Sequence, residues 1–131
     1  MQPQILYTVS GRVMHGKGRG KSVGMPTVNL ALNPQMPLPK LGVYASLVYL
    51  DNAVYTGVTN LGYRPTVDCE KRVTCETLIL HLDADLYEKN LRVDLLYFLR
   101  PTRKMQSLKD VYEQVKTDSA QAEKLLKNIN R

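Results

Sequence analysis

Two neutral oxygen donors lie close together in the segment Pro26-Thr27-Val28-Asn29. On an extended chain, residues two apart point the same way, so the Thr27 hydroxyl and the Asn29 amide share a face. Such oxygens suit Mg²⁺, which keeps waters and phosphate oxygens as its other ligands. Pro26 stiffens the chain just before them. A turn capped by the Thr and Asn side chains is the simpler explanation when the pair is taken alone.

Glu76 is a carboxylate on an otherwise apolar strand face. Residues 73–82 are predicted to form a strand, and alternation places Glu76 on one face with three leucines, Leu78, Leu80 and Leu82. A carboxylate there suits a general base, because burial would raise its pKa towards neutrality. The same residue fits a position near the strand end, where it reaches water or pairs with an arginine.

A glycine-rich basic stretch, "HGKGRGKSVG", precedes Thr27. It is not a P-loop, because the first glycine of that motif would fall at His15, and it also fails the G-x-G-x-x-G spacing. Pro26 disfavours a helix at Met25, so the stretch is predicted to be a loop between extended segments. It suits either phosphate binding or a basic hairpin loop without a ligand.

The histidines and cysteines give no strong signal. His15 adjoins the glycine loop and could donate to an anion, and His81 shares a predicted strand face with Ile79, but either fits an ordinary structural role. Cys69 and Cys75 lack the neighbouring partners of a zinc site. We expect no disulfide between them in a reducing compartment.

The bulk properties predict one domain over residues 1–131. The chain shows neither a signal-peptide pattern nor a membrane-length apolar stretch, so we expect a cytoplasmic protein with no membrane partner. The net charge is +6 and the pI about 9.4. The cations concentrate in residues 12–21 and 100–104, which suits a compact anionic ligand as well as a polynucleotide.

The apolar pattern predicts strands followed by one helix. The predicted strands are residues 7–15, 26–32, 42–50, 53–59, 73–82 and 91–99, with a hairpin turn at 51–52 and a polar loop at 60–72. From Ser107 the spacing becomes helical, and Ser107 with Asp110 is similar to a capping box. We therefore expect a mainly β fold, a barrel over about 5–100 with a helix over about 107–129 packed outside.

In this order the motifs resemble the riboflavin kinase (flavokinase) family, including the kinase module of bifunctional bacterial FAD synthetases. The resemblance rests on "SGRVMHGKGRGKSVGMPTVNL", "LPKLGVYAS", "VTNLGYRPTV" and the run that begins "CETLILHLDADLYEKN", and it extends over about residues 7–126. It implies a six-stranded antiparallel Greek-key barrel. It also implies transfer of the ATP γ-phosphoryl group to the ribityl 5′-hydroxyl of riboflavin, giving FMN and ADP, with Mg²⁺ as cofactor.

The resemblance further implies a role for each matching residue. Thr27 and Asn29 would hold Mg²⁺, and Glu76 would orient and deprotonate the ribityl hydroxyl. The ATP-binding residues would be Gly16, Gly18, Gly20, Lys21, Thr27, Ile79 and His81. The residues beside the flavin would be Arg100, Arg103 and Leu108. Phosphoryl transfer requires neutralisation of the phosphate charge, a metal ion and a positioned nucleophile. The residues that the resemblance assigns would supply each of these.

Four positions depart from the family pattern. Met25 replaces the usual phenylalanine, Lys21 a common arginine, Glu88 a typical glycine and Met105 an aromatic residue. None of them alters the predicted metal pair or base. Glu88 and Met105 leave the details of the flavin side open.

Two other functions compete with the kinase. One is a catalytically inactive module that senses flavin or nucleotide, and the other is a basic barrel that binds single-stranded RNA. The retained Thr27, Asn29 and Glu76 disfavour the first. The second predicts an affinity that falls steeply with salt and does not need Mg-ATP, and we do not expect nucleic acid as a partner. In bifunctional enzymes an FMN adenylyltransferase domain precedes this module, and the chain has no room for one. A stand-alone kinase and an excised domain both fit.

Overall fold

The computed structural model describes residues 4–14, 27–32, 37–65, 71–82, 84–102, 105–127 and 129. These residues form six strands and one helix. The elements are β1 (Tyr7–Met14), β2 (Thr27–Leu30), β3 (Gly42–Leu50), β4 (Ala53–Pro65), β5 (Lys71–Ile79), β6 (Asn90–Arg100) and α1 (Leu108–Leu126).

The strands close into an antiparallel barrel in the order β1-β2-β5-β4-β3-β6. Strands β3, β4 and β5 follow one another, and β6 returns to pair with β3. The spatial order β6-β3-β4-β5 is that of a Greek key. The predicted fold, a mainly β barrel of six antiparallel strands, is confirmed.

The barrel interior is filled by the inward-facing side chains of all six strands, because alternate residues of a strand point to opposite faces. A short chain of hydroxyls crosses this interior. Thr59 Oγ1 lies 2.9 Å from Ser46 Oγ and 2.8 Å from Thr77 Oγ1, and all three residues are fully buried. Each hydroxyl therefore has a partner inside the core, which removes the cost of burying it.

Three described residues other than glycine lie in the left-handed region, namely Asp51, His81 and Glu88. Asp51 begins the hairpin between β3 and β4 with φ 53°, and the predicted turn at 51–52 is confirmed. Glu88 has φ 68° and donates its backbone N–H to Val13 O at 3.2 Å. A left-handed conformation favours glycine, which explains why glycine is typical at that position of the resembled family.

The predicted loop at 60–72 is wrong at both ends, because β4 continues to Pro65 and β5 already begins at Lys71, while residues 66–70 lie outside the described residues. Gly62 pairs with Thr74 inside the ladder instead of breaking it. The predicted strand at 73–82 is also wrong at its end. β5 stops at Ile79, and His81 lies in a turn with φ 62°.

Helix α1 packs on the outer face of β3, β4 and β6. Ala122 and Leu126 are fully buried there against outward-facing residues of the barrel such as Val43, Val58 and Leu96. Ser107 caps the helix, since its Oγ accepts from Asp110 N at 3.1 Å, as the sequence predicts. Within the described residues, no helix has the length and apolar character needed to cross a membrane.

The reactivity of the Cys75 thiol tests whether the barrel interior is closed to solvent. It is 1% exposed, and burial raises the pKa of its thiol to about 12. In a Cys69→Ser variant, whose remaining thiol is Cys75, we expect no reaction with a disulfide reagent at about pH 8 while the protein is folded, because the thiolate is the reactive form. The thiol should react fully in guanidinium. Rapid reaction of the folded variant would contradict the closed barrel.

Candidate active site

Thr27 and Asn29 lie on the outer face of β2. Val28 and Leu30 point into the barrel core, so alternation turns the two polar residues outward. Asn29 is only 8% exposed and Thr27 is half-buried. The hydroxyl and the amide therefore share one face, as their spacing predicts.

The pairing of β2 with β5 brings Glu76 beside this pair. Asn29 is the direct cross-strand partner of Glu76, and Thr27 pairs with Leu78 on the same face. Directly opposite residues have Cβ atoms about 4.5–5.5 Å apart. Two neutral oxygen donors and a carboxylate thus lie side by side.

The surroundings of Glu76 differ from the apolar face that the sequence indicates. Leu80 and His81 lie beyond the end of β5, so the run of leucines does not continue along the strand. Cys75 and Thr77 point into the barrel, which leaves Glu76 half-buried on the outside. The carboxylate is therefore within reach of a ligand bound outside the barrel.

Asn60 is a neighbour of this site that the sequence reasoning missed. It is the partner of Glu76 on β4, opposite to the side where Asn29 lies. Its Oδ1 accepts a hydrogen bond from Thr102 Oγ1 at 3.0 Å. The alternating pattern of residues 53–61 continues through Asn60 and indicates a longer strand, whereas Gly62 and Pro65 are typical of a loop and hide this signal.

Arg100, predicted to lie beside the flavin, forms a bidentate ion pair with Asp118 of α1. Its Nε and Nη2 donate to the two carboxylate oxygens at 3.0 and 2.8 Å. The Asp118 side chain is 3% exposed, and Gln114 Nε2 adds a third hydrogen bond to it at 3.0 Å. Arg100 thus has a structural partner, and its contact with the flavin stays a prediction.

The remaining described residues predicted to bind ATP or flavin do not lie on the face of Glu76. Ile79 is buried in the barrel core, so its side chain does not share the face of Glu76. His81 is exposed, and its Nε2 lies 3.1 Å from Glu123 Oε1 at the wall of a cleft of about 590 Å³ between β4 and α1. Leu108 is 57% exposed at the start of α1. Five predicted ligand contacts lie outside the described residues: Gly16, Gly18, Gly20, Lys21 and Arg103.

Comparison with known proteins agrees with this architecture. The profile of the family described as Flavokinase, riboflavin kinase, matches residues 4–126. The bifunctional riboflavin kinase/FMN adenylyltransferase of Bacillus subtilis (strain 168) is 32% identical over 128 residues, which cover 95% of this chain and 40% of that protein. The chain therefore belongs to the riboflavin kinase family, and it spans about two fifths of the length of this relative.

Two solved structures are also similar. One is described as a macrolide-efflux protein from Streptococcus pneumoniae, with a TM-score of 0.78 and 29% identity over 86% of this chain and 37% of that one. The other is riboflavin kinase from Trypanosoma brucei, with a TM-score of 0.64 and 18% identity over 98% of this chain and 84% of that one. The second likeness shows the shared fold.

The ion pair of Arg100 with Asp118 makes a testable prediction. Arg100→Met should lower the free energy of unfolding by about 3 kcal/mol, because it leaves a buried carboxylate without its charge partner. Chemical denaturation followed by circular dichroism measures this change. Adding Asp118→Leu should recover most of the loss, since an apolar pair can replace a buried ion pair.

The matched control is Asp51→Asn, which breaks an exposed pair with Lys89 whose charged atoms are 4.0 Å apart. We expect no measurable change there, because exposed pairs contribute little. If Arg100→Met is as stable as the unmodified protein, the ion pair does not hold α1 to the barrel.

Proposed function

We propose that this chain is a riboflavin kinase domain that transfers the γ-phosphoryl group of ATP to the ribityl 5′-hydroxyl of riboflavin. The main observation that supports this proposal is the pairing register of β2 with β5, which sets Thr27 and Asn29 beside Glu76 on one outward face. Membership of the riboflavin kinase family supports the same reaction. The domain, predicted over residues 1–131, and its cytoplasmic location stay predictions.

In the proposed reaction, the ribityl oxygen attacks the γ-phosphorus as the bond to the β-phosphate oxygen breaks. ADP leaves with that oxygen, and the hydroxyl proton passes to the Glu76 carboxylate. A base on a rigid strand can hold the acceptor oxygen in line for attack, which removes much of the entropic cost of the reaction. FMN and ADP are the products.

Thr27 and Asn29 have the donor chemistry that suits magnesium. Their hydroxyl and amide oxygens are neutral and hard, and they would complete a coordination sphere otherwise made of waters and phosphate oxygens. Among the described residues, no group of three or more His, Cys, Asp or Glu side chains forms another metal site. When bound with ATP, Mg²⁺ would neutralise charge on the phosphates.

The nucleotide and flavin contacts belong to this proposal. The loop containing Gly16, Gly18, Gly20 and Lys21 would surround the ATP phosphates through its backbone N–H groups and the lysine charge. Ile79 and His81 would contribute on the nucleotide side. Arg100, Arg103 and the exposed Leu108 would border the flavin.

The alternative is a catalytically inactive module that senses flavin or nucleotide. It requires no base, and the half-buried Glu76 beside the two oxygen donors favours the kinase over it. The Bacillus subtilis relative is named for two activities, of which the second is FMN adenylyltransferase. We propose that an adenylyltransferase domain is a partner of this chain where both occur in one protein.

The first test is the reaction of the purified chain with riboflavin and Mg-ATP, followed by chromatography of FMN. Glu76→Gln should lower kcat by about 10²- to 10⁴-fold, the range for loss of a general base. Binding of both substrates should persist, as isothermal titration would show. Glu113→Gln, on the exposed part of α1, is the control that should keep full turnover.

No FMN from the unmodified chain at saturating substrate would refute the kinase. Normal turnover by Glu76→Gln would leave the kinase standing and remove Glu76 as its base.

The second test concerns the metal pair. Thr27→Val keeps the shape of the side chain but removes its oxygen, so the Mg²⁺ concentration for half-maximal ATP binding should rise by about tenfold, as expected for one lost contact to a charged group. Titration of Mg²⁺ at fixed ATP measures this. Thr117→Val on α1 is the matched control, and an equal Mg²⁺ dependence of both variants would exclude Thr27 from the metal site.

A further inference from the structure

Asn60 lies on the side of Glu76 that is opposite to the proposed metal ligands. Glu76 has a cross-strand partner on each side of the outer face, Asn29 on β2 and Asn60 on β4. Neighbouring strands are about 4.8 Å apart, a distance that a few carbon atoms span. In-line attack places the acceptor and the leaving group on opposite sides of the γ-phosphorus. With the phosphates on the Asn29 side, the acceptor molecule extends from Glu76 across β4 and passes Asn60.

Asn60 also lies at the border between the part of the outer face that α1 covers and the part that it leaves open. Its cross-strand partner on β3 is Val43, and Val43 and the β4 residue Val58 are both buried against α1. On the other side Asn60 faces β5, where Glu76 and Thr74 are half-buried. Asn60 is itself half-buried between these two regions. Its side chain can therefore border a ligand that lies along the open face.

Thr102 and Gly62 hold the Asn60 amide in one orientation. Thr102 Oγ1 donates to Asn60 Oδ1 at 3.0 Å, with Leu61 O as a second acceptor at 3.3 Å. Gly62 is buried, and a Cβ placed on it would lie 3.6 Å from Asn60 Oδ1, Asn60 Nδ2 and Thr102 Cγ2. The amide and the Thr102 methyl group therefore cover this glycine. An amide that is already held in place loses little freedom when a ligand binds to it.

The nitrogen is the end of the Asn60 amide that suits a ligand. A side-chain amide has one acceptor oxygen and a nitrogen with two N–H donors. The hydrogen bond from Thr102 uses the oxygen. A ligand beside Asn60 must therefore offer an acceptor to the nitrogen, and a hydroxyl oxygen is such an acceptor.

The surroundings of Asn60 favour an uncharged ligand. Four outward-facing residues flank Asn60 and Glu76 on β4 and β5, and none of them carries a charge: Val58, Gly62, Thr74 and Leu78. A phosphate group is usually bound by cations, whereas a polyol needs only neutral donors. The ribityl chain of riboflavin is a polyol, with three secondary hydroxyls between the flavin ring and the terminal hydroxyl that receives the phosphoryl group.

We propose that Asn60 binds the ribityl chain of the acceptor, with Asn60 Nδ2 donating to the oxygen of a secondary hydroxyl. This role rests on the proposed function, in which Glu76 holds the terminal hydroxyl. Thr102 is then a positioning residue that acts through Asn60. The contact selects for a polyol chain, because an acceptor without secondary hydroxyls leaves the amide nitrogen without its partner.

The test compares two ligands by isothermal titration, with Mg-ADP present so that no phosphoryl transfer occurs. One ligand is riboflavin, and the other is a flavin with a hydroxypentyl chain at N10, which keeps the ring and the terminal hydroxyl but lacks the secondary hydroxyls. Asn60→Leu keeps the size of the side chain and removes the donor. It should weaken riboflavin binding about three- to tenfold, as expected for one neutral hydrogen bond. It should change the affinity for the hydroxypentyl flavin by less than about twofold, so the preference for riboflavin falls.

Three further variants separate this contact from a general effect on the fold. Thr102→Val should produce part of the loss of preference with Asn60 still present, because the amide is then free to rotate. Thr102→Ser keeps the hydroxyl and should restore the preference. The matched control is Asn52→Leu in the exposed hairpin turn between β3 and β4, which should leave both affinities unchanged.

An unchanged preference for riboflavin in Asn60→Leu would overturn the proposal, as would an equal loss of affinity for both flavins. The titration needs no turnover, so the two proposals fail separately. If the unmodified chain makes no FMN but Asn60→Leu lowers the preference as expected, the kinase proposal fails and the contact of Asn60 with the ribityl chain stands. If the chain makes FMN and the preference does not change, only the role of Asn60 is refuted.

Discussion

The pairing of β2 with β5 is the interaction on which the rest of the site depends. β2 has four residues, and its register sets Asn29 opposite Glu76. Val28 and Leu30 fix that register, because a slip of one residue would turn the polar pair into the core and expose both apolar side chains. Each apolar side chain contributes roughly 1.5–3 kcal/mol when fully buried. Two residues without a chemical role therefore hold the proposed metal ligands beside the proposed base.

The closed barrel gives this pairing a rigid frame. α1 packs on β3, β4 and β6, so the helix covers one part of the outer face while Thr27, Asn29 and Glu76 lie on another. The buried carboxylate of Asp118 is compensated by Arg100, so α1 attaches to the barrel without an unpaired charge. Residues on paired strands are held more precisely than residues on loops. The proposed metal ligands and the proposed base, whose positions must be accurate within about an ångström, thus lie on strands.

Local pattern predicted most of the fold and failed at three identifiable places. Alternation found the strands and helical spacing found α1, because both follow from which side chains must be buried. The turn-forming residues of 60–65 predict a loop, yet pairing of β4 with β3 and β5 overrides that local preference. The apolar alternation of Leu80 and Leu82 extended β5 too far, since His81 turns the chain with a positive φ. Nothing in the spacing links Arg100 to Asp118.

The sequence by itself determined the chemistry available at the site and the direction of each side chain along its own strand. Thr27 and Asn29 share a face because a strand repeats every two residues, and Ser107 caps α1 because its hydroxyl precedes the first helical turn. Only the tertiary structure decided which strands are neighbours. The row from Asn29 through Glu76 to Asn60 joins residues from three separate strands. The register of these strands is set when the barrel closes around one core. Local periodicity in a sequence does not determine how strands that are distant in sequence align.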